Sequence, residues 1–507
     1  MWFWRFLRDH RWKLLTASLT AGIAAGAGLA AALSVLRVVQ RSVGLAPPTR
    51  EQLEEEQPET CSPLFRLLPA LAQRLAWRQL GDGFPTPVHR AQVALSDDAN
   101  AVEEPWTFFV KREDLSSSSY GGNKVRTLQH QIAVLEARTE RRDPAVLGNF
   151  VVAGSGGSNQ VLATAGHARG RLRQPVQPSW VTKDPPDNDN SLNMLATLSF
   201  DNVTTPVSWA SPRAAALWSF LSPALRGTGV SVFPGGNTPA GVIGQLGGAV
   251  ELAEQIEAGL LKDVDRIYLP VGSACTISGM ILGVCLVRRQ GMRAFEKPGF
   301  KIVGVPIHHA SAAGHRLLAL HTAGWAKHVP MSIRHTVEMT AAALVDLGGP
   351  DLLDDAVAML VEGGVELVAD AELIGAYGGH SPLSKQASEL YDATGRVFSV
   401  DATTGAEKIE KPLWLCGHFA AKAFAAMLRD QRRDSDRGCG NKVVLFWQTK
   451  SHVLPRGDVD EWTRFRDEMP ASCHRWAERG KAASSLRPAD VSVETGPDGY
   501  RHLMSKI

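Results

Sequence analysis

The chain has 507 residues, 44% of them hydrophobic and 21% charged, which is enough for about three domains with substantial cores. Its formal net charge of +2 does not support a nucleic-acid-binding function. The six cysteines are scattered without a C-x-x-C pair, which argues against a zinc site or a disulfide framework and is typical of a reducing compartment. These figures indicate an ordinary globular enzyme.

The N-terminal segment differs from the rest of the chain. Residues 1–13 contain four basic side chains and a single acidic one. Residues 14–36 carry no charge, and a segment of this length can cross a bilayer. We predict that residues 1–50 are a membrane anchor or targeting segment. The alternatives are a cleaved mitochondrial-type presequence and a buried soluble helix.

This segment predicts a membrane-associated protein in an organelle, with the mitochondrion first and a secretory-pathway anchor as the alternative. Basic residues flank both ends of residues 14–36, so the charge distribution leaves the orientation open. Residues 51–105 begin with an acidic stretch and are predicted to be a linker and the entry to the next domain.

From residue 106 onward, apolar strands alternate with glycine-rich loops and helical stretches. The helical stretches begin near residues 124, 160, 239 and 275. This alternation predicts an α/β fold with a mostly parallel sheet. The predicted strands lie at residues 106–114, 145–154, 179–182, 204–209, 265–271, 300–308 and 442–451.

Lys124 opens one of these helices. Apolar residues recur at three- and four-residue steps from Val125 to Leu135, which is the pattern of one helix face, and Asn123 is the predicted N-cap. A lysine in the first turn has the unfavourable sign for the helix dipole. Two interpretations stay open at this point: a solvated surface lysine, or an amine whose pKa is lowered so that it can act as a nucleophile.

Two loops rich in glycine and serine, residues 154–160 and 271–279, follow strands and lead into helices. Backbone N–H groups at a helix start can bind an anion, and Ser273, Thr276 and Ser278 add hydroxyl donors. Neither loop has the Walker A or the G-x-G-x-x-G spacing, and either could be only a packing turn. Together with Lys124 they predict a phosphorylated cofactor held by one loop and bonded to the lysine.

Several motifs resemble one family in particular. The segments "VKREDLSSSSYGGNKVRTL", "GSGGSNQVLATAGHA", "DRIYLPVGSACTISGMILG" and "VLFWQTKS" are similar to those of the pyridoxal-phosphate enzymes of the 1-aminocyclopropane-1-carboxylate deaminase and D-cysteine desulfhydrase group. The resemblance covers residues 106–451 in the same order. It implies a two-domain tryptophan-synthase-β-like fold (fold type II) with open, twisted, mostly parallel sheets flanked by helices.

The resemblance also implies domain boundaries. The large, cofactor-binding domain would comprise residues 106–144 and 243–451, and the small domain residues 145–242. Residues 452–507 would form a C-terminal extension. The cofactor is expected in the cleft between the two domains.

The family's site residues transfer to matching positions of this chain. Lys124 would form a Schiff base with pyridoxal 5'-phosphate and act as the base at the substrate α-carbon, tasks that require a neutral amine. Asn159 would hydrogen-bond the phenolic oxygen of the cofactor, and Thr449 would lie beside the pyridine nitrogen. Ser158 would hold the substrate carboxylate or act on the substrate directly. The phosphate would lie against Gly272, Ser273, Ala274, Cys275 and Thr276.

Some positions depart from the family pattern. Ser158, Gln160 and Phe419 are the predicted substrate-pocket residues, but the family has a tyrosine at the position of Phe419, and phenylalanine can neither donate nor accept a proton. The phosphate loop has alanine and cysteine where glycine and threonine are common. "QTKS" replaces "H-T-G-G", and an insertion lies near residues 397–411.

We therefore predict α,β-elimination or ring-opening deamination of a small amino acid, of the D-cysteine or 1-aminocyclopropane-1-carboxylate type, to a keto acid and ammonia. A homodimer is the candidate assembly. One alternative is a pseudoenzyme that serves as a scaffold at a membrane. The other is an amino-acid racemase or β-replacement enzyme on the same fold.

Overall fold

The computed structural model describes residues 44–481 except 57, 96–103, 141, 144–146, 183–187, 210–229, 233, 309–332, 369, 376–377, 401–405, 452, 456–464 and 466. The membrane or targeting segment predicted at residues 14–36 lies outside these residues and stays a prediction. None of the helices in the described part of the chain is long and apolar enough to cross a membrane.

In the described residues the strands form two separate sheets. The strands are β1 (Val88–Val93), β2 (Trp106–Arg112), β3 (Phe150–Ser155), β4 (Val176–Val181), β5 (Val207–Trp209), β6 (Val230–Val232), β7 (Arg266–Val271), β8 (Lys301–Pro306), β9 (Val365–Leu367), β10 (Arg396–Val400), β11 (Glu407–Ile409) and β12 (Val444–Gln448). The large sheet has the order β11-β10-β1-β2-β12-β7-β8-β9, and the small sheet has the order β5-β4-β3-β6.

Helices connect most of these strands. The α-helices of the described residues are α1 (Arg50–Glu56), α2 (Pro58–Cys61), α3 (Pro63–Leu67), α4 (Lys124–Thr139), α5 (Asn159–Ala168), α6 (Asn188–Leu198), α7 (Pro239–Glu257), α8 (Cys275–Arg289), α9 (Ile333–Asp346), α10 (Leu353–Val361), α11 (Ala371–Ile374), α12 (Pro382–Thr394), α13 (Ala420–Asp436) and α14 (Ala471–Lys481). The order of strand, loop and helix that the sequence predicts recurs at β3–α5 and β7–α8.

The large sheet is parallel through its centre and antiparallel toward one edge. Strands β2, β12, β7, β8 and β9 are parallel neighbours, whereas β1, β10 and β11 pair in the antiparallel sense. The small sheet is parallel throughout. Strand β12 is buried on both faces, as its continuous apolar sequence requires in the middle of a parallel sheet.

Alternating residues of the central strands face two different cores. On β12, Leu445 and Trp447 belong to the core that also contains α4, α7, α8 and the small sheet, while Val444 and Phe446 belong to the core beneath α12 and α13. This follows from the two-residue period of a strand. The large sheet is thus covered by helices on both faces, and the small sheet shares the first core. The predicted α/β fold is confirmed for the described residues.

The structure adds elements that the sequence did not predict. Strands β1, β6 and β9 were missed, and the insertion predicted near residues 397–411 contains the β10–β11 hairpin at the sheet edge. All strands of the small sheet lie between residues 145 and 242, but the domain boundaries themselves stay predictions.

The C-terminal extension packs against the small sheet in its described part. The indole N–H of Trp476 on α14 donates to the carbonyl of Thr182 at 2.9 Å, and Glu468 accepts a hydrogen bond from Thr205 at 2.9 Å. A side chain at Gly156, in the loop after β3, would come within 2.6 Å of the Trp476 ring. The helix therefore covers the outside of a loop that leads to the site described next.

Candidate active site

A cavity lies where the carboxyl ends of strands from both sheets meet the start of helices α4, α5 and α8. The carboxyl edge of parallel strands is the usual place for a ligand site in an α/β fold. All the site residues predicted from the sequence line this cavity: Lys124, Ser158, Asn159, Gln160, Gly272, Ser273, Ala274, Cys275, Thr276, Phe419 and Thr449. The fold thus brings together residues that are more than 300 positions apart, while their individual roles stay predictions.

The Lys124 amine is held inside this cavity by a backbone carbonyl. Its Nζ donates to the carbonyl oxygen of Gly235 at 3.0 Å. Burial lowers the pKa of Lys124 below its ordinary value, and the neighbouring Cys275 opposes this effect only in part. The amine therefore lies in the cavity and not on the open surface, which favours the interpretation as an amine with a lowered pKa, while its role as a nucleophile stays a prediction.

The start of α8 offers backbone N–H groups to the cavity. Ala274 precedes this helix in a left-handed conformation with φ 68°, and its methyl side chain cannot cap the helix. The thiol of Cys275 lies deep in the structure, where burial raises its pKa, so it is a protonated packing residue. Ser278 does not contribute to the cavity, because its hydroxyl donates to the carbonyl of Ile333 at 3.4 Å.

Asn123 differs from its predicted role as N-cap of α4. It occupies the residue before the helix, but its side chain makes no capping bond. Its amide instead donates to the hydroxyl of Thr276 at 2.8 Å, and its backbone N–H donates to the carbonyl of Thr449 at 3.2 Å. These two bonds connect the start of the lysine helix to the phosphate-loop candidate and to the end of β12.

The loop after β3 carries the predicted substrate residues. The Ser158 hydroxyl accepts a hydrogen bond from the backbone N–H of Gln160 at 3.3 Å, so Ser158 caps α5. A side chain at Gly154 would lie 2.7 Å from that hydroxyl, which explains the glycine there. The Gln160 side chain is buried and donates to Thr164 at 3.4 Å.

Phe419 forms an apolar wall of the cavity. Its ring stacks on His418, with ring centroids 4.0 Å apart, and lies 3.6 Å from where a side chain at Gly272 would begin. Burial, reinforced by Lys422 and Lys450, holds the pKa of His418 well below its ordinary value, so this imidazole is neutral. The cavity therefore gains no proton donor from Phe419, in agreement with the departure noted in the sequence.

Several cavity residues escaped sequence reasoning. Gly235, whose carbonyl holds Lys124, was noticed only as part of a turn, and its φ of 71° with a Cβ that would clash with Ser273 explains the glycine. Ile307 follows β8 and adds apolar surface. Lys450 was noticed only as a departure from a motif, and its side chain contacts Asn159. The glycine pair in "FPGGN" was the one available signal for Gly235.

Residues 80–446, more than half of the chain, match the family described as pyridoxal-phosphate dependent enzyme. The chain therefore belongs to this family, whose members are pyridoxal-phosphate-dependent enzymes. The α/β fold and the site geometry agree with a fold type II enzyme of this cofactor class.

Two curated relatives and one solved structure illustrate the similarity. Nocardicin C-9' epimerase from Nocardia uniformis subsp. tsuyamanensis is 35% identical over 187 residues, covering 36% of this chain and 54% of that protein. A putative 1-aminocyclopropane-1-carboxylate deaminase from Pyrococcus abyssi is 25% identical over 206 residues, covering 40% and 56%. The matches thus span about half the length of these relatives. The crystal structure of an ACC deaminase homologue is 16% identical, covers 80% of this chain and 98% of that one, and has a TM-score of 0.48.

The residues around the cavity fit pyridoxal phosphate. Lys124 offers an amine with a lowered pKa, and the uncapped start of α8 offers N–H groups for a phosphate without a cationic side chain. Gly235 and Gly272 leave space that a Cβ would reduce. Phe419 and Ile307 supply apolar surface for a ring.

Proposed function

We propose that this enzyme is a lyase or deaminase that acts on a small amino acid of the D-cysteine or 1-aminocyclopropane-1-carboxylate type. The observation that carries the proposal is an amine with a lowered pKa in a cavity that also contains an uncapped helix start. The name of the Pyrococcus abyssi relative, a putative deaminase, supports the same reaction class.

When bound, pyridoxal phosphate bonds to an amine and draws electrons away from the carbon that carries it. Lys124 would take the proton from that carbon, because its lowered pKa leaves more of it neutral than an ordinary lysine. Ser158 and the first N–H groups of α5 would hold the substrate carboxylate. The start of α8, at Cys275 and Thr276, would hold the phosphate.

The overall change balances without another reactant except water. A substrate of the D-cysteine type loses its α-proton to Lys124, and its β-substituent leaves with the bonding electrons; water then completes the release of a keto acid and ammonia. 1-Aminocyclopropane-1-carboxylate has no α-proton, so for that substrate a ring bond to the α-carbon breaks instead, a ring carbon gains a proton, and water again releases a keto acid and ammonia. Thr449 would give the pyridine nitrogen a neutral neighbour, which weakens the electron sink and favours elimination.

The test uses the purified protein loaded with pyridoxal phosphate. We expect a near-visible absorbance band that Lys124→Ala loses and that Lys301→Ala, at a surface lysine paired with Glu366, retains. The loaded enzyme is then incubated with D-cysteine, L-cysteine, D-serine and 1-aminocyclopropane-1-carboxylate, and keto acid is measured. A stable band with no keto acid from any of the four would contradict the proposed reaction and leave the epimerase and scaffold alternatives.

Epimerisation of an amino acid is the second candidate function. It is favoured by the name of the 35% identical relative, an epimerase, and by Phe419, which brings no proton donor for a leaving group. For a substrate that has an α-proton, both candidates begin with its removal. Incubation in D₂O followed by chiral separation distinguishes them: an epimerase yields the opposite enantiomer carrying α-deuterium, and a lyase yields keto acid.

We also propose a membrane tether at residues 14–36, supported by the uncharged length of that segment. Full-length protein should stay with membranes after alkaline carbonate extraction, whereas a chain starting at residue 44 should be released. Release of both forms would contradict the tether.

A further inference from the structure

Lys450 follows Thr449 at the end of β12 and lies on the other side of the strand from the cavity. Successive residues of an extended segment alternate in direction. Thr449 lines the cavity, while Gln448 and Lys450 both contact Trp414: Gln448 donates to its carbonyl at 2.9 Å, and the Lys450 amine lies 4.9 Å from its ring centroid. Lys450 is only 3% exposed, so its amine is buried directly behind the site.

The Lys450 amine donates to two asparagine side chains. Its Nζ lies 2.8 Å from Oδ1 of Asn159 and 3.3 Å from Oδ1 of Asn193. Asn193 in turn donates its amide to the carbonyl of Gly157 at 3.1 Å and to Oδ1 of Asn159 at 2.7 Å. The hydroxyl of Tyr120 completes the group, 3.0 Å from the same Asn159 oxygen.

A lysine ammonium can only donate hydrogen bonds, so it fixes the sense of any amide that it contacts. With Lys450 beside them, both asparagine side chains must direct their oxygen atoms toward it. Tyr120 cannot fix the orientation of the Asn159 amide, because its hydroxyl can either donate or accept. The side-chain oxygen of Asn159 is therefore occupied on the protein side, and its NH₂ group is the polar group presented to the cavity that Asn159 lines.

We propose that Lys450 is a positioning residue that locks the Asn159 amide as a donor toward the oxygen of a cofactor in the cavity. The proposal rests on the role assigned to Asn159 under the proposed function. Lys450 acts through Asn159 and touches neither cofactor nor substrate. The positive charge adds to the effect, because a charge-assisted hydrogen bond polarises the amide and strengthens its N–H as a donor.

The experiment measures binding of pyridoxal phosphate to the cofactor-free full chain, by fluorescence quenching and by the near-visible absorbance band. Lys450→Met, which keeps the length but not the donor, should weaken binding about tenfold or more and change the band as Asn159→Ala does. Lys450→Gln keeps one donor without the charge and should lie between the wild type and Lys450→Met. Near-ultraviolet circular dichroism identifies any variant that does not fold. If Lys450→Met does not fold, cofactor binding is compared between the wild type and Lys450→Gln instead.

The double variant Lys450→Met/Asn159→Ala tests whether Lys450 affects cofactor binding through Asn159. If Lys450 acts through Asn159, Lys450→Met has little further effect in the Asn159→Ala background. Lys422→Met is the matched control, because this equally buried lysine donates to the carbonyl of Ile307 at 2.9 Å instead, and its effect should be the same in both backgrounds.

Equal cofactor binding by the wild type and Lys450→Met would overturn the proposal. So would an undiminished effect of Lys450→Met in the Asn159→Ala background, since the lysine would then act elsewhere. Absence of cofactor binding in the wild type would be a different outcome, because it would contradict the proposed site as a whole.

Discussion

Lys124 and Arg126 stand two residues apart in the first turn of α4, Arg126 buried and Lys124 half-buried, and their hydrogen-bond partners differ completely. Arg126 donates to Glu113 at 2.7 Å and to Glu251 at 2.7 Å, and Lys111 donates to the same Glu251 at 2.6 Å. We call these four residues the paired-charge network. Lys124, on the other side of the helix, has the carbonyl of Gly235 as its hydrogen-bond acceptor.

The difference separates ion pairs that join elements of the fold from an amine that faces the cavity. In the paired-charge network the cations meet carboxylates, which raise the pKa of Arg126 and partly offset the burial that lowers the pKa of Lys111. The ion pairs join β2, α4 and α7. A carbonyl cannot compensate the ammonium of Lys124 in the same way, so burial lowers its pKa. One helix turn therefore holds the helix in place through Arg126 and presents the Lys124 amine to the cavity.

The largest expected effect is on catalysis at Lys124. Lys124→Met should reduce turnover by about 10³-fold or more, because it removes the proposed base. The melting temperature should change little or rise, since the half-buried amine that is removed donates among the described residues only to a carbonyl. Keto-acid assays and thermal unfolding measure the two effects. A stable variant with normal turnover would contradict the catalytic role of Lys124. A large fall in melting temperature would contradict the distinction between Lys124 and the paired-charge network.

Glu251→Gln should destabilise the protein, in contrast to Lys124→Met. Removing this carboxylate leaves Lys111 and Arg126 buried without full compensation, which typically costs about 3–5 kcal/mol. Glu254→Gln is the matched control on the same helix, because its ion pair with Arg66 is largely exposed and should contribute less than about 1 kcal/mol. Urea unfolding compares the variants, and equal losses would refute the distinction.

The paired-charge network also predicts acid sensitivity. Burial would raise the pKa of Glu251, but Arg126 and Lys111 outweigh it and lower that pKa to about 2, from an ordinary value of 4.5. A lowered pKa in the folded state stabilises the fold above pH 4.5, and the contribution is lost as pH falls from there toward 2. Urea midpoints measured between about pH 7 and pH 3 should fall in this range, and less steeply for Glu251→Gln. An identical acid slope in both proteins would argue against Glu251 as the source.

The smallest expected effect concerns the strained backbone of Ala274, which lines the cavity. Ala274 adopts φ 68°, a conformation that costs a residue with a Cβ about 1 kcal/mol, so Ala274→Gly should stabilise the fold by about that amount. Ala358→Gly, inside α10, should destabilise it by about the same amount because its conformation is helical. Unfolding free energies of the two variants should therefore differ in sign.

Local sequence patterns predicted much of the framework and of the site. The apolar run of β12 and the three- and four-residue spacing of α4 reflect the periods of a strand and a helix, so they can be recognised without the fold. The departure at Phe419 was also visible in the sequence. The cavity contains Lys124 and both glycine-rich loops, as the motifs led us to expect.

Only the tertiary structure decided which polar groups meet. Asn123 has the sequence character of an N-cap, but Thr276 from a distant helix takes its amide. Lys450 contacts Asn159 across 291 positions of the chain. A period in the sequence determines which face of an element is buried, whereas the partner of a buried polar group depends on where other strands end. The sequence therefore determined most of the elements and the candidate site residues, and the fold determined which side chains contact them.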